Sequence, residues 1–198
     1  SCTPLTLPPS LRWTGDHLEL LDQRRLPEEV SFLQLHQWRD VAEAIATMAV
    51  RGAPAIGVAA AWGVVLAAQA NEDLELAVSV LKSSRPTAVN LGWALDRMKA
   101  SPDAQDPVDP QGLAAVAAAL EADDRARTQT LVDHGVGLLA SGSRVLHHCH
   151  TGAIATAGVG TALGVIAAGH ARGVVRHAWL DETRPRLQGA ALSAWELG

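Results

Sequence analysis

The stretch Arg51-Gly52-Ala53-Pro54-Ala55-Ile56-Gly57 opens a run of mostly small apolar residues that continues to about Ala70. Pro54 has its φ pre-set for the first helical position and has no N–H group to lose there. A helix is therefore predicted to begin at Ala53 or Pro54. Because the run is apolar throughout and consists mainly of Ala and Gly, it predicts a helix buried in the core rather than one exposed to water.

The same stretch has a second property, which is chemical. Gly52 lets the backbone approach a ligand closely, and the first turn of the helix offers N–H groups with no partner within the helix. A guanidinium beside such a helix start suits a phosphate or a carboxylate, so Arg51 is a candidate anion ligand. The alternative is an ordinary loop-to-helix junction whose arginine is solvated, and the seven residues alone leave both interpretations open.

Two further segments repeat this arrangement of an arginine at a stiff bend before a helix. They are Arg85-Pro86-Thr87-Ala88-Val89-Asn90 and the segment that runs from Glu182 through Arg184-Pro185-Arg186 to Ala190. In the latter, Gln188 could bridge two hydroxyl groups. A single arginine before a helix is usually a surface residue, whereas three such bends indicate a shared polyoxygenated, phosphorylated ligand.

Composition narrows the class of protein. The chain has 198 residues, of which 48% are hydrophobic and 19% charged, so it predicts a globular protein with a substantial core. A net charge of −5 gives no electrostatic reason to expect a nucleic-acid partner. Two cysteines, Cys2 and Cys149, cannot form a disulfide framework, which favours a cytoplasmic location. The N-terminus lacks a signal-peptide pattern, and the apolar stretches Ala53–Ala70 and Gly152–Gly169 favour core helices over membrane spans.

The pattern of apolar residues divides the chain into two parts, and the predicted fold class is α/β. Residues 1–140 are expected to form a mainly helical domain with a small antiparallel sheet, whose first hairpin spans Leu11–Leu21. Asp40 with Glu43 resembles a capping box at the start of an early helix. Residues 141–198 are expected to begin a Rossmann-like domain, with a strand over Arg144–Cys149, a helix over Thr161–Ala171, a second strand over Val174–Leu180 and a final helix from about Ala190.

This second part predicts a parallel sheet that needs further material. Two parallel strands and two helices cannot cover both faces of a sheet, and parallel sheets are stable only when both faces are buried. We therefore expect more chain, a second polypeptide or a partner subunit to complete it.

The stretch His147-His148-Cys149-His150 holds the most reactive side chains. A strand would put His148 and His150 on one face and His147 and Cys149 on the other, so four ligands could not converge and no metal site is predicted. Cys149 alone is the better candidate for a functional residue. It lies at the carboxyl end of a predicted parallel strand, where ligands bind in such sheets, and glycine-rich loops follow it. A buried, inert cysteine is the alternative.

The glycines that follow suggest one more interpretation. Gly158-x-Gly160-x-x-x-Gly164 is a stretched version of the dinucleotide-binding fingerprint, and Asp181 or Glu182 could supply the acid that binds ribose. Tight packing of a helix on a strand explains the same glycines equally well.

Several of these segments together resemble the methylthioribose-1-phosphate isomerases. The segments that carry the resemblance are Met48–Gly57, Arg85–Leu91, His148–Thr156, Gly160–Ile166, Glu182–Pro185 and Gln188–Ala190. Their order and spacing match from Leu11 to Leu197. The wider family includes ribose-1,5-bisphosphate isomerase and the regulatory subunits of translation initiation factor 2B.

The resemblance implies a fold, a reaction and a set of residue roles. It implies a helical domain followed by a Rossmann-like domain, with the active site between them, and a homodimer. The implied reaction interconverts 5-methylthioribose 1-phosphate and 5-methylthioribulose 1-phosphate in methionine salvage, without a cofactor. Cys149 would be the catalytic cysteine. The implied substrate-binding residues are Arg51, Gly52, Ala53, Arg85 and Gln188.

The chain also departs from the family pattern. The family's general acid is an aspartate in a Gly-Ala-Asp segment that residues 1–198 do not contain, so we expect an N-terminal portion that is inactive alone. His150, Val159 and Ala191 replace a usual asparagine, tyrosine and arginine, which leaves the substrate open. The alternatives are a ribose-1,5-bisphosphate or other sugar-phosphate isomerase, and a non-catalytic subunit that senses a sugar phosphate or nucleotide.

Overall fold

The structure is a computed structural model, and it describes residues 7–183 and 186–198. Cys2 and the Arg184-Pro185 pair, which the sequence analysis singled out, lie outside the described residues. The bend before the final helix can therefore be judged from Glu182, Thr183 and the residues after 185.

A small antiparallel sheet opens the described chain. Its strands are β1 (Leu11–Trp13), β2 (Leu18–Leu21) and β3 (Phe32–Leu35), in the order β1-β2-β3. The predicted hairpin is confirmed, and its turn places Gly15 at a φ of 109°, which suits glycine. β3 pairs with β2 and was not predicted, since it is four residues long and only one of its residues, Leu35, is buried.

Seven α-helices lie within the described residues. They are α1 (Trp38–Ala46), α2 (Ala53–Gln69), α3 (Leu74–Ser84), α4 (Val89–Lys99), α5 (Pro110–Gly137), α6 (Ala162–Ala171) and α7 (Ala194–Leu197). Two 3₁₀ turns, Pro102–Ala104 and Ala153–Ala155, and a π-helical segment, Gly189–Ser193, complete the helical elements.

Helix α2 is the centre of the main core. It begins at Ala53 with Gly52 as its N-cap, as predicted, and nearly all of its side chains are buried against α1, α3, α4 and α5. Small residues let its neighbours come close: a Cβ at Gly57 would lie 3.1 Å from Asn90 O on α4. Packing of this density explains why the sequence is apolar all round the helix.

The start of α1 differs from the prediction. The helix begins at Trp38 and its N-cap is Gln37, whose backbone N–H donates to Asp40 Oδ2 at 3.1 Å. Asp40 is therefore the third helical residue rather than the cap, and Glu43 is not its partner. The capping interaction is the same in kind as the predicted one but lies three residues earlier in the chain. Its N-cap is a glutamine, where a serine or threonine is usual.

The second part of the chain contains the predicted strand–helix–strand unit. β4 (Ser143–His147) and β5 (Val175–Leu180) pair in parallel, and α6 connects them. This confirms the predicted fold class of a mainly helical region followed by a parallel strand pair. One face packs on α6 through Leu163 and Val175, whereas the other leaves Leu146 78% exposed.

The two long apolar stretches behave differently from each other. Ala53–Ala70 forms α2 and its cap, as predicted. The stretch Gly152–Gly169 is not one helix: it contains the Ala153–Ala155 turn, a loop and the first part of α6. None of the helices among the described residues has both the length and the hydropathy of a membrane span.

Candidate active site

Cys149 lies two residues beyond the carboxyl end of β4. The strand ends at His147, so the predicted extension to Cys149 is wrong, and so is the strand-like alternation of the residues that follow. Cys149 adopts a left-handed backbone with a φ of 72°, which turns the chain. As a result His147 and His150 are buried, while Cys149 is a free, exposed cysteine, contrary to the buried, inert alternative.

The three histidines around Cys149 have different surroundings. His147 Nε2 lies 2.8 Å from Thr151 Oγ1, and His148 Nδ1 contacts Asp181 Oδ2. Both ring nitrogens of His150 are buried without a hydrogen-bond partner among the described residues. Within the same residues, no three His, Cys, Asp or Glu side chains are arranged to hold a metal ion.

The turn after Cys149 is held together by Thr151 and two glycines. Thr151 Oγ1 accepts a hydrogen bond from Leu163 N at 2.9 Å, and the Thr151 carbonyl accepts one from Thr161 N at 2.8 Å. Gly160 has a φ of 86°, and a Cβ there would lie 2.6 Å from the carbonyl carbon of Gly152. These glycines therefore serve the close approach of two loop segments and the start of α6.

The acids of the dinucleotide interpretation are engaged elsewhere. Asp181 pairs with His148, and the Glu182 carboxylate accepts hydrogen bonds from Gly189 N at 2.7 Å and Ala190 N at 2.9 Å. Glu182 thus caps the final helical segment, where it satisfies N–H groups that have no helical partner. The glycine pattern and its acids are explained by packing and capping.

Arg51 occupies a buried position before α2. The residue is only 7% exposed, and its Nε donates to Met48 O at 3.4 Å. Its Nη1 is buried without a hydrogen-bond partner among the described residues. Burial lowers the pKa of Arg51, and the nearby charges of Arg186 and Arg85 lower it further. Arginines from two other bends of the chain are thus near enough to Arg51 to affect its charge, while the Asp22 carboxylate acts in the opposite direction.

Gly52 is the point where the start of α2 meets the turn after Cys149. Its φ is 90°, and a Cβ there would overlap the carbonyl oxygen of Ala155. Gln23 Nε2 donates to Ile154 O at 2.7 Å, and Ser10 Oγ donates to Thr156 O at 2.5 Å. Segment 153–156 is therefore fastened to the helical part of the chain directly beside Arg51.

The remaining predicted ligands lie at the ends of helices. Ala53 is the exposed first residue of α2, and Arg85 lies at the C-cap of α3. Gln188 is half-buried directly before the π-helical segment, and its backbone N donates to Thr183 Oγ1 at 3.4 Å. The positive charge of Arg186, two residues earlier, lowers the pKa of Arg51.

Glu196 is the residue that the sequence analysis missed. Its side chain is 3% exposed, its Oε2 accepts a hydrogen bond from Ala153 N at 2.6 Å, and its Oε1 lies 3.9 Å from His150 Nδ1. Burial raises the pKa of Glu196 to about 7, and burial lowers the pKa of His150 to about 4. The available signal was a lone acid within the apolar final helix, which indicates a buried carboxyl with a specific partner.

Comparisons with known proteins identify the family to which the chain is similar. The model of the Initiation factor 2 subunit family matches residues 49–198. A methylthioribose-1-phosphate isomerase of Parasynechococcus marenigrum (strain WH8102) is 97% identical over 194 residues, which are 98% of this chain and 58% of that protein. The enzyme of the same name from Alkalilimnicola ehrlichii is 51% identical, over 95% of this chain and 57% of that protein.

Two solved structures share the fold. A crystal structure of 5-methylthioribose 1-phosphate isomerase from Pyrococcus horikoshii OT3 superposes with a TM-score of 0.88 at 37% identity, over 98% of this chain and 59% of that one. The delta subunit of translation initiation factor eIF-2B from A. fulgidus gives 0.79 at 34% identity, over 96% and 58%. The chain thus spans less than three-fifths of the length of the relatives it matches.

Proposed function

We propose, because the chain belongs to the Initiation factor 2 subunit family, that it supplies the cysteine and arginine side of an isomerase active site. The reaction interconverts 5-methylthioribose 1-phosphate and 5-methylthioribulose 1-phosphate, a step of methionine salvage. The observation that carries the proposal is the buried Arg51, with an unpartnered Nη1 and two further arginines near it, beside the turn that follows Cys149.

Three guanidinium groups in one place repel one another, and burial adds a desolvation penalty. A bound phosphate relieves both effects, since it adds two negative charges and several acceptor oxygens where the Asp22 carboxylate offsets the arginine charges only in part. The chain has a net charge of −5, so these arginines form a positively charged site in a protein that is negatively charged as a whole. This site therefore favours a small anionic ligand over a general affinity for polyanions.

The substrate-binding roles follow from the same geometry. In this proposal Arg51 and Arg85 bind the phosphate, and the backbone of Gly52 and Ala53 offers N–H groups at the start of α2. Gln188 binds sugar hydroxyls from the side of the final helix. Each residue lies at a helix end, where backbone donors or a flexible side chain can reach a ligand.

The chemistry requires more than binding. The anomeric carbon of this substrate carries the phosphate, so the ring cannot open as a free hemiacetal does. The ring C–O bond must break with a proton delivered to the ring oxygen, and a hydrogen must then move between C1 and C2. Cys149, exposed two residues beyond the end of β4, is the candidate to transfer the proton between C1 and C2 or to stabilise charge near them.

Further material is part of the proposal. The outer face of the β4–β5 pair exposes Leu146 and Trp179, which are 78% and 43% exposed, and a parallel sheet requires cover on both faces. We infer that more chain or a second polypeptide covers it and brings the general acid. A division near residue 140, a homodimer and a cytoplasmic location, the last from the low cysteine content, remain proposals of the same standing.

The test is an isomerase assay on the protein at the full length its gene encodes, after a denaturing mass spectrum has identified the polypeptides present. Turnover of 5-methylthioribose 1-phosphate, with little turnover of ribose 1,5-bisphosphate in parallel, is the expected result. Faster turnover of the bisphosphate would move the proposal to that substrate. Binding of either sugar phosphate without turnover would support a sensing subunit and contradict the enzyme.

A further inference from the structure

The carboxyl group of Glu196 fills a notch at Gly152, in the turn that follows Cys149. A Cβ at Gly152 would overlap the Glu196 carboxylate, so the absence of a side chain at Gly152 makes room for it. Oε2 accepts a hydrogen bond from the backbone N–H group of Ala153 at 2.6 Å. A residue from the last helix thus closes the turn that follows the candidate catalytic cysteine.

We propose that Glu196 is a positioning residue for Cys149, which fixes the turn over 152–154 and contacts the His150 side of it. Its kinetic consequence rests on the proposed function, whereas its structural consequence does not. Glu196 itself has no contact with the reacting atoms in this proposal.

The backbone of Cys149 gives the first reason. A left-handed conformation is unfavourable for a residue with a side chain, and it persists only where the surroundings hold it. On the N-terminal side, the bond between His147 and Thr151 spans the cysteine. On the C-terminal side, Glu196 accepts a hydrogen bond from Ala153, the first N–H group of the 3₁₀ turn.

The location of the acid gives the second reason. Leu192, on the helical segment that carries Glu196, belongs to a small buried cluster with Leu21, Leu26 and Ile154. The final helix is therefore anchored both to the β2 region and to the turn itself. A carboxyl held by such an anchored helix provides a fixed reference for the position of Cys149.

A glutamine should take over this role. In either protonation state the carboxyl has an oxygen that can accept from Ala153 N, and the amide oxygen of Glu196→Gln can do the same. The amide nitrogen would then face His150 Nδ1, which is buried and has no hydrogen-bond partner among the described residues. Alanine has neither group, so Glu196→Ala leaves the turn without its acceptor.

The experiment compares Glu196→Ala, Glu196→Gln and a control, Asp109→Ala, in the full-length protein. Asp109 also accepts a backbone N–H bond, from Gln111 at 2.9 Å, but at the far start of α5. Amide hydrogen exchange of the peptide over 150–156 is measured together with kcat and KM. In Glu196→Ala we expect exchange about tenfold faster, kcat about 10²-fold lower and KM within about threefold.

Glu196→Gln should stay close to the wild type in every readout, and Asp109→Ala should change exchange only near Gln111. Unchanged exchange at 150–156 in Glu196→Ala would overturn the contact. Altered exchange with unchanged kcat would overturn the positioning role, and a glutamine variant as defective as the alanine would do the same. If the wild type turns over neither sugar phosphate, the proposed function fails, while the exchange measurement still decides whether Glu196 fixes the turn.

Gly152→Ala provides a second variant should Glu196→Ala fold poorly, because its methyl group pushes the carboxyl out of the notch. It should reproduce the loss of kcat. The double variant Gly152→Ala/Glu196→Ala should be no worse than either single variant, since both remove one contact. Additive losses would contradict the proposal.

Discussion

Cys149 shows how a single residue acquires its setting from its neighbours. It is exposed in a left-handed conformation, while the histidines at 147 and 150 are buried on either side of it. This arrangement presents a thiol on a turn whose flanks cannot move easily. A thiol in such a place is suited to one defined contact with a substrate.

Replacing that thiol tests its role directly. Cys149→Ala should lower kcat by about 10²- to 10⁴-fold, the range of a lost acid–base group, because the methyl group cannot transfer a proton. The thermal midpoint should change little, since the side chain is exposed. Turnover measurements with circular dichroism check both points, and a variant that retains turnover would remove Cys149 from the catalytic role.

Arg51 tests the binding side of the site. Arg51→Ala should raise KM about tenfold or more with a smaller effect on kcat, because it removes a charge-assisted bond to the substrate phosphate. Arg172→Ala is the matched control, since Arg172 is exposed and pairs with Asp133 at 2.7 Å on the surface. An unchanged KM in Arg51→Ala would count against phosphate binding at this residue.

At the scale of elements, the site depends on where helices begin. α2 starts at Ala53, and its N-cap, Gly52, packs directly against Ala155. The first turn of the most buried helix is thereby joined to the loop that carries Cys149. Few side chains are involved, so the junction depends on the conformation of the glycine.

Gly52→Ala should therefore disturb this junction. A Cβ at Gly52 would overlap the Ala155 carbonyl, and a φ of 90° is unfavourable for alanine, so we expect a loss of about 2 kcal/mol or more in the free energy of unfolding. Gly137→Ala, at the end of α5 with no atom within 4 Å of its Cβ, should change it by less than about 1 kcal/mol. Urea unfolding of both variants is the measurement, and equal effects would contradict the argument.

At the scale of the whole molecule, long-range contacts join the two parts of the chain. α5 packs on both α2 and α6, and Asp124 Oδ2 accepts a hydrogen bond from Ala157 N at 2.7 Å. Ser10 and Gln23 bind the same loop from the opposite end of the sequence. The loop after Cys149 is thus held between segments that are distant in the chain. The protonation of the buried ionisable groups at this loop therefore affects the stability of the whole fold.

His150 and Glu196 should make that stability depend on pH in opposite directions. The pKa of His150 falls to about 4, so its contribution is lost as pH decreases below about 6.5. The pKa of Glu196 rises to about 7, so its contribution is lost as pH increases from about 4.5 to 7. Between about pH 4.5 and 6.5 the two effects should largely cancel in the wild type.

Glu196→Gln removes one of the two effects. The free energy of unfolding of the variant, relative to the wild type, should rise with pH between about 5 and 6.5, by up to about 1.4 kcal/mol per unit. Urea unfolding at a series of pH values measures this difference. Curves that run parallel for the two proteins would show that Glu196 titrates normally.

The sequence by itself determined the order of the main helices and of the strand–helix–strand unit, and it located the bends that hold Arg51 and Arg85. Pro54 after Gly52 marks the start of α2, and apolar periodicity separates the helical part from the strand–helix–strand part. These features depend on local backbone preferences and on composition, which neighbouring residues carry. The family resemblance added the expected roles of Cys149 and Arg51 for the same reason, since motifs are local.

Only the tertiary structure decided what surrounds those residues. Several features of the site depend on segments far apart in the chain. They are the end of β4 at His147, the exposure of Cys149, the effect of the Arg186 charge on Arg51, and the bond between the Glu196 carboxyl and the turn. A side chain's burial and partners are set by packing between such segments, and no local pattern encodes them. The sequence therefore identifies candidate residues for the chemistry of the site, while the fold determines their geometry.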